Sequence, residues 1–390
     1  SNTQGIGGKA ISLKFLFPLF LILAFTSQLS LSTDKTTTST QILQSIDLGC
    51  SFLAKNQNED GSWGSPTQTK GLNIFAPIPG SHRAFRLAVT ALSISALIEA
   101  RGNDSNYEET LRKGQKYLLL ELPKLRRATP MAIYNVWTHS FGIHALNRMY
   151  LNSSDEKEKK RIKEVMQHQV SMLERYESVD GGWGYYDFRA QTKQPSGSSI
   201  SFVNATGLIA LKDASAIGVD VPQRMVTRAV AAIIRQRLPD HSYLYGEYLK
   251  NRPRAGINRP AGSLGRSNAC NYALELWGDD AVNHKIHMIC LDRLFSRNGW
   301  LDIARKRPIP HESWFAVAGY FFYYGHLYAS FCMEKLPSKH REIYQQKMAE
   351  VLVPLQEKDG SWWDFPLYDY HKQYGTSMAI LSLLRSLPSS

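Results

Sequence analysis

Proton transfer has few well-placed candidates in this chain: Asp187, Glu247, Glu312 and Asp364 among the acids, and His139 among the imidazoles. The acids are too scattered to read as the paired carboxylates of sugar hydrolysis. His139, Glu312 and Asp364 are therefore taken as single catalytic candidates, each with a plain structural alternative, since a lone imidazole or carboxyl has many hydrogen-bonding uses. Anion binding is better supplied. The stretch from Tyr248 to Arg266 carries Lys250, Arg252, Arg254, Arg259 and Arg266 among Gly and Pro, and the planar fork of Arg suits phosphate or carboxylate. A solvated loop is the alternative. The formal net charge of +12 also favours anionic partners: a phosphate group, an acidic membrane surface or an acidic polysaccharide. The basic residues are scattered and no recognition motif accompanies them, so no nucleic-acid partner is expected. Cys50, Cys270, Cys290 and Cys332 are far apart, with no C-x-x-C spacing. No metal and no other cofactor is expected, and the thiols read as small buried hydrophobes, with a bridge or two left open if the chain is exported.

Helices must position these groups. A chain of 390 residues that is 43% hydrophobic and 21% charged buries a large core in one or two domains. Within it, Gln57, Asp60, Gly61, Ser62, Trp63 and Gly64 recur as Asp180, Gly181, Gly182, Trp183 and Gly184, and as Gln356, Asp359, Gly360, Ser361 and Trp362. Weaker copies are Asp240 to Tyr243 and Asn298 to Trp300. The aromatic positions 63, 183, 243, 300 and 362 fall about 60 residues apart, with one place unfilled near Leu122. Before each turn runs an amphipathic segment, as in Ile162, Val165, Met166, Gln169 and Leu173; after it comes a segment poorer in charge and richer in Ala, Ser and Gly. Twelve such segments in six hairpins predict an all-α (α/α)6 barrel with an outer amphipathic and an inner buried ring. No linker interrupts the period, so residues 39–390 form one domain. The turn residues themselves read as structure: Asp caps, Gly takes a positive φ, and Trp packs over the next hairpin.

These Gln-x-x-Asp-Gly-Ser-Trp turns resemble the QW repeats of squalene-hopene and oxidosqualene cyclases and of the related β subunits of protein prenyltransferases, over roughly residues 40–387. The tail, with Phe365, Pro366, Leu367, Tyr368, Tyr370, His371 and Tyr374, looks like the F-P-x-Y segment near the C-terminus of triterpene cyclases. The resemblance implies the toroidal fold and an isoprenoid substrate. It also exposes departures. The D-x-D-D acid of class II cyclases is missing. Gly265 to Tyr272 look like the prenyltransferase zinc and diphosphate segment, with Asn268 where its Asp would stand and Gly375 where its zinc His would stand. By that comparison Arg266 matches a diphosphate ligand, while Cys270, Asn268 and His371 make a poor zinc shell.

The starts of the inner segments supply the remaining candidates: His82 and Arg83, Trp137 and His139, Asn204 and Thr206, Asn268, His311, Glu312 and Trp314, and Tyr374. Substrate-binding expectations fall on Arg266, Asn268, Cys270, Asn204, Trp137, Tyr374 and Arg254, with Arg266, Asn268, Cys270, His139, Asn204 and Tyr374 facing one central cavity. The aromatic run Trp314, Phe315 and Tyr320 to Tyr324 fits an apolar cavity or plain core, since neighbouring residues on a helix cannot all face one side. The expected function is to bind an apolar or isoprenoid-like small molecule, with an anionic head left open. The alternatives are a non-catalytic interaction barrel or a polysaccharide-active (α/α)6 enzyme. An apolar run from Phe15 to Phe25, preceded by Lys9 and Lys14, predicts a secretory signal or retained anchor over residues 1–38, export of the chain, and peripheral contact with a membrane. Oligomeric state is not legible.

Overall fold

The computed structural model describes residues 37–71, 78–101, 106–187, 194–195, 199–252, 254–312 and 316–388. The N-terminal signal or anchor segment, Trp314 and Phe315 lie outside the described residues. Six amphipathic helices form the outer ring: α1 (Ser39–Lys55), α3 (Glu108–Glu121), α5 (Glu156–Arg175), α7 (Gln223–Gln236), α9 (His284–Ser296) and α12 (Ser338–Leu352). Six apolar ones form the inner ring: α2 (Ser81–Arg101), α4 (Asn135–Asn152), α6 (Ser201–Ala216), α8 (Pro260–Leu276), α11 (Phe321–Glu334) and α13 (His371–Leu384). A single-turn helix, α10 (Asn298–Asp302), precedes α11. The inner ring closes: α2 packs on α4, α4 on α6, α6 on α8, α8 on α11, α11 on α13, and α13 back on α2. This is the all-α (α/α)6 barrel that the period predicts.

The repeat turns bolt the hairpins together. Trp63, Trp183 and Trp362 are fully buried. Their indole N–H groups donate to Leu53 O at 2.7 Å, Leu173 O at 2.8 Å and Leu352 O at 2.8 Å, carbonyls in the last turn of the preceding outer helix, where intrahelical donors run out. Asp60, Asp240 and Asp359 each accept the backbone N–H and hydroxyl of the Ser two residues on. At Gly181 and Gly360, with φ of 93° and 88°, a Cβ would lie 2.5 Å from Arg228 O of α7 and Leu48 O of α1. Glycine there permits both the left-handed backbone and the close approach to the next outer helix. The sequence-level copy at Asn298 to Trp300 is corrected: these residues form α10 instead of a turn, Gly299 has open space around it, and Trp300 is only half-buried beneath Arg297. No Asp two residues before a Ser caps a turn at this point.

Inside the ring, aromatic side chains meet across the axis. Trp137 of α4 lies 6.1 Å from Tyr324 of α11 and 5.5 Å from Phe202 of α6, ring to ring. The Tyr324 hydroxyl donates to Phe202 O at 2.9 Å and sits 2.8 Å from the Thr206 hydroxyl. Of the run Phe321 to Tyr324, Phe321 and Tyr324 face Phe202, while Phe322 turns outward to His326 and Arg305, as a 100° step per residue demands. Where the inner helices end, Glu99 of α2 is paired with Arg148 of α4 and Arg385 beyond α13, and His144 with Asp213 of α6 at 2.6 Å. Among the described residues no helix is long and apolar enough to cross a membrane.

Candidate functional site

The inner helices begin at the end of the barrel where the repeat turns run. The residue two positions past the turn aromatic is Tyr185 after Trp183, Tyr245 after Tyr243 and Asp364 after Trp362, with Ser65 in that place after Trp63. Tyr185, Tyr320 and Tyr374 retain accessible surface although burial raises their hydroxyl pKa values well above the usual range. These partly accessible side chains, with Trp137 and the buried rings of Phe202 and Tyr324, make the starts of the inner helices an aromatic end of the ring, here called the funnel. Tyr134 stacks on Tyr185 at 5.6 Å and Phe321 lies 4.9 Å from Tyr320, so its wall is aromatic as well.

Phenol hydroxyls cluster along this wall: Tyr185 and Tyr245 share a hydrogen bond between their hydroxyls, with Tyr320 nearby. The Tyr320 hydroxyl lies 2.9 Å from His311 Nε2, while His311 Nδ1 lies 2.9 Å from Ala316 O. A carbonyl only accepts, so Nδ1 carries the imidazole proton and Nε2 accepts from Tyr320. Burial lowers the pKa of His311, which keeps it neutral in this role.

Asp364 is a buried acid near this end of the barrel. One carboxylate oxygen accepts the backbone N–H of Tyr323, in the first turn of α11, at 3.0 Å. Burial pushes its pKa up to about 7, against the opposing pull of that N–H and of Arg305. The carboxyl therefore titrates near neutrality beside Tyr374.

The other expectations divide. Trp137 and Tyr374 line the funnel, and the Tyr374 hydroxyl donates to Tyr320 O at 3.1 Å. His139 and Asn204 face the outer ring instead. His139 Nδ1 is 2.7 Å from Gln169 Oε1 of α5 and its Nε2 is 3.1 Å from Asn135; burial lowers its pKa to about 4. Asn204 donates to Ala229 O of α7 at 2.9 Å. Arg266 is completely buried, and its guanidinium donates to Tyr243 O, Gly262 O and Ile257 O at 2.7–3.0 Å, with Asn258 beside it. Its fork is spent on backbone carbonyls, and burial lowers its pKa to about 10. Cys270, with its thiol pushed up to about 12 by burial, faces Arg266 and Ser201, whereas Asn268 is 200° further round α8. The six residues expected in one cavity thus do not share one. Helix starts align along the axis, but a 100° step decides which face each residue presents. Glu312 precedes α11 instead of opening it and pairs with Arg307 at 3.2 Å; Glu247 is held by Arg235 at 2.7 Å. Arg254 is exposed on the rim with Lys250 and Arg252. All four cysteines are buried and free, and among the described residues no three His, Cys, Asp or Glu converge as metal ligands. Two grooves of about 310 and 630 Å³ lie on the outer wall beside α9 and α3. The groove beside α3 is lined mainly by charged side chains and the one beside α9 by Pro239, Ile286 and Ile289 with Asp240, Lys285 and Arg293; neither has the cluster of rings found at the inner-helix starts.

No family model and no curated protein sequence matches the chain. Solved structures do match. The type II terpene cyclase MstE from Scytonema is 13% identical over 88% of this chain and 97% of its own, with a TM-score of 0.52; a variant of it was solved with geranylgeranyl dihydroxybenzoate as substrate. The α-1,6-mannanase GH76A of Salegentibacter sp. HEL1_6 is 14% identical over 88% and 99%, with a TM-score of 0.53. A D-mannose isomerase is 11% identical over 91% and 100%, with a TM-score of 0.56. At these identities the likeness establishes the fold: this chain is similar to α/α-toroid enzymes that act on either isoprenoid or sugar substrates.

Proposed function

We propose that the funnel at the starts of the inner helices binds an apolar, isoprenoid-like small molecule. The observation that supports this most is the aromatic lining: Trp137, Phe202 and Tyr324 below, Tyr134, Tyr185, Phe321 and Tyr320 around. Such rings bury a polyene chain and stabilise positive charge developing on it. Asp364 is the group that would carry proton chemistry. A carboxyl titrating near pH 7 is far too weak an acid to protonate an isolated alkene, but it suits general-acid assistance to an oxygen leaving group. Glycan processing is the poorer reading, because it needs a second carboxylate opposite the first, and Glu312 and Glu247 are engaged by arginines. Export through the N-terminal segment belongs to the same proposal. So does contact of Lys250, Arg252 and Arg254 on the rim with an acidic membrane surface, which would let an apolar ligand enter from the bilayer.

Titration of the purified protein with geranylgeranyl methyl ether and, separately, with mannotetraose tests the reading through tryptophan fluorescence. Saturable quenching by the ether, weakened by Trp137→Leu, is expected. Binding of mannotetraose with no response to the ether would contradict it.

A further inference from the structure

Resting on that reading of the funnel, we infer that its ligand is an isoprenoid or other long-chain acid whose single carboxylate answers the charge of Arg266. Arg266, on α8, is a positive charge buried in the wall of this end of the barrel. Its guanidinium lies 5.7 Å over the Tyr245 ring and 5.9 Å over Phe321, and Tyr245 in turn shares a hydroxyl hydrogen bond with Tyr185. The acceptors it meets are all neutral: Tyr243 O at 3.0 Å, Gly262 O and Ile257 O at 2.7 Å, and Asn258 Oδ1 at 3.4 Å. The ionisable groups nearest it are Cys270, Tyr245, Tyr320 and Tyr248, each held protonated at neutral pH because burial raises its pKa. The acids of this end look elsewhere: Asp364 to Arg305, Glu247 to Arg235 and Glu312 to Arg307. Carbonyl dipoles satisfy the N–H groups of the guanidinium, yet among the described residues no carboxylate pairs with it. A buried ion without a counter-charge is costly, and departures of this kind belong to functional sites.

Two features decide which anion completes the arrangement. The fork of Arg266 is already on backbone carbonyls, so selection comes from its field and not from direct donation. A diphosphate, whose oxygens call for several charged donors, finds no cradle there. A carboxylate carries one charge and gives up less hydration on entering an aromatic site. The exposed Lys250, Arg252 and Arg254 have the same sign as Arg266, so the potential of the rim reinforces that of the wall. An ammonium head is repelled by both, and an alcohol feels neither force.

Chain-matched probes isolate the head group: geranylgeranoic acid, geranylgeraniol, geranylgeranylamine and geranylgeranyl diphosphate, titrated into the full chain at pH 7 by tryptophan fluorescence, in low and in high salt. The acid should bind about tenfold tighter than the alcohol, and the amine about tenfold weaker. The advantage of the acid should survive high salt, because a buried charge is poorly screened. It should persist when Lys250, Arg252 and Arg254 are replaced by Ala, and vanish in Arg266→Met, whose fold a thermal melt checks; if that variant is unfolded, the wild-type and rim-variant comparisons decide. Alcohol binding as tightly as the acid, an advantage lost in high salt or with the rim residues, or tighter binding of the diphosphate would overturn the inference while leaving the funnel reading in place. Failure of all four probes to bind would remove the funnel reading and the inference together.

Discussion

Gln356 Nε2 donates to Ser45 O of α1 at 2.9 Å, across 311 positions of sequence, and to Gly360 O of its own turn at 2.9 Å. Gln57 makes the same pair of bonds, to Thr110 O of α3 at 2.8 Å and to Gly61 O at 3.0 Å. One side chain thus ties each of these turns to the next outer helix, and at Gln356 the next helix is the first, so the bond closes the ring. Gln356→Ala leaves two carbonyls short of a donor and should cost about 1–3 kcal/mol in urea unfolding. Loss of cooperativity, with the N-terminal hairpin opening first in hydrogen exchange, should accompany it.

The turn glycines differ in what surrounds them. Gly181→Ala places a methyl group 2.5 Å from Arg228 O at a φ of 93° and should destabilise by about 3 kcal/mol or more. Gly278 has a similar φ of 83° with nothing within 4 Å, so Gly278→Ala should cost only about 1 kcal/mol. Thermal unfolding of the two variants checks the contrast.

Acid stability should reflect Glu99. Burial pushes its pKa up, but Arg148 and Arg385 outweigh that and bring it down to about 2. Because the folded pKa lies below the unfolded one, the stabilisation is present above roughly pH 4.3 and is lost as pH falls toward 2. Glu99→Gln takes the paired carboxylate from Arg148 and leaves Arg385 with Glu334 at 3.4 Å; it should cost on the order of 3 kcal/mol at pH 7, with a shallower decline in stability below pH 4.3 than wild type shows.

Asp364 gives the opposite slope. Its folded pKa of about 7 lies above its unfolded value, so its contribution is most favourable below about pH 4 and is lost as pH rises toward 7. Asp364→Asn keeps an oxygen for the Tyr323 N–H and removes the ionisation. It should flatten that part of the stability profile and leave the variant more stable than wild type at pH 8. An unchanged profile would mean that the carboxyl is not the buried acid described above.

The barrel was legible because its period is written in residue types that have few other uses: Asp, Gly and Trp in sequence mark a turn, and a six-fold repeat of hairpins has to close. The approach to α11 was not legible: His311 is tied through its backbone N–H to Val317 O and through Nδ1 to Ala316 O ahead of that helix. The site was less legible. Reading the helix starts selected Trp137 and Tyr374, which lie among the aromatic rings at this end of the barrel, together with His139, Asn204 and Arg266, whose side chains turn to the outer ring or to backbone carbonyls. The signal that finds Tyr185, Tyr245 and Asp364 together is present in the repeat itself, two positions beyond each turn aromatic. It emerges only when the repeats are superposed position by position, because the residues there are Ser, Tyr, Tyr and Asp, with no shared chemistry.

The central claim is that the aromatic funnel at the inner-helix starts is the binding site. A photoreactive benzophenone ether of geranylgeraniol, cross-linked to the full chain and mapped by peptide mass spectrometry, tests it most directly. Labelling should fall on peptides containing Trp137, Tyr185, Tyr320 and Tyr374 and be competed by free geranylgeraniol. Competable labelling confined to the outer-wall grooves beside α3 or α9, with none at these four residues, would contradict the account.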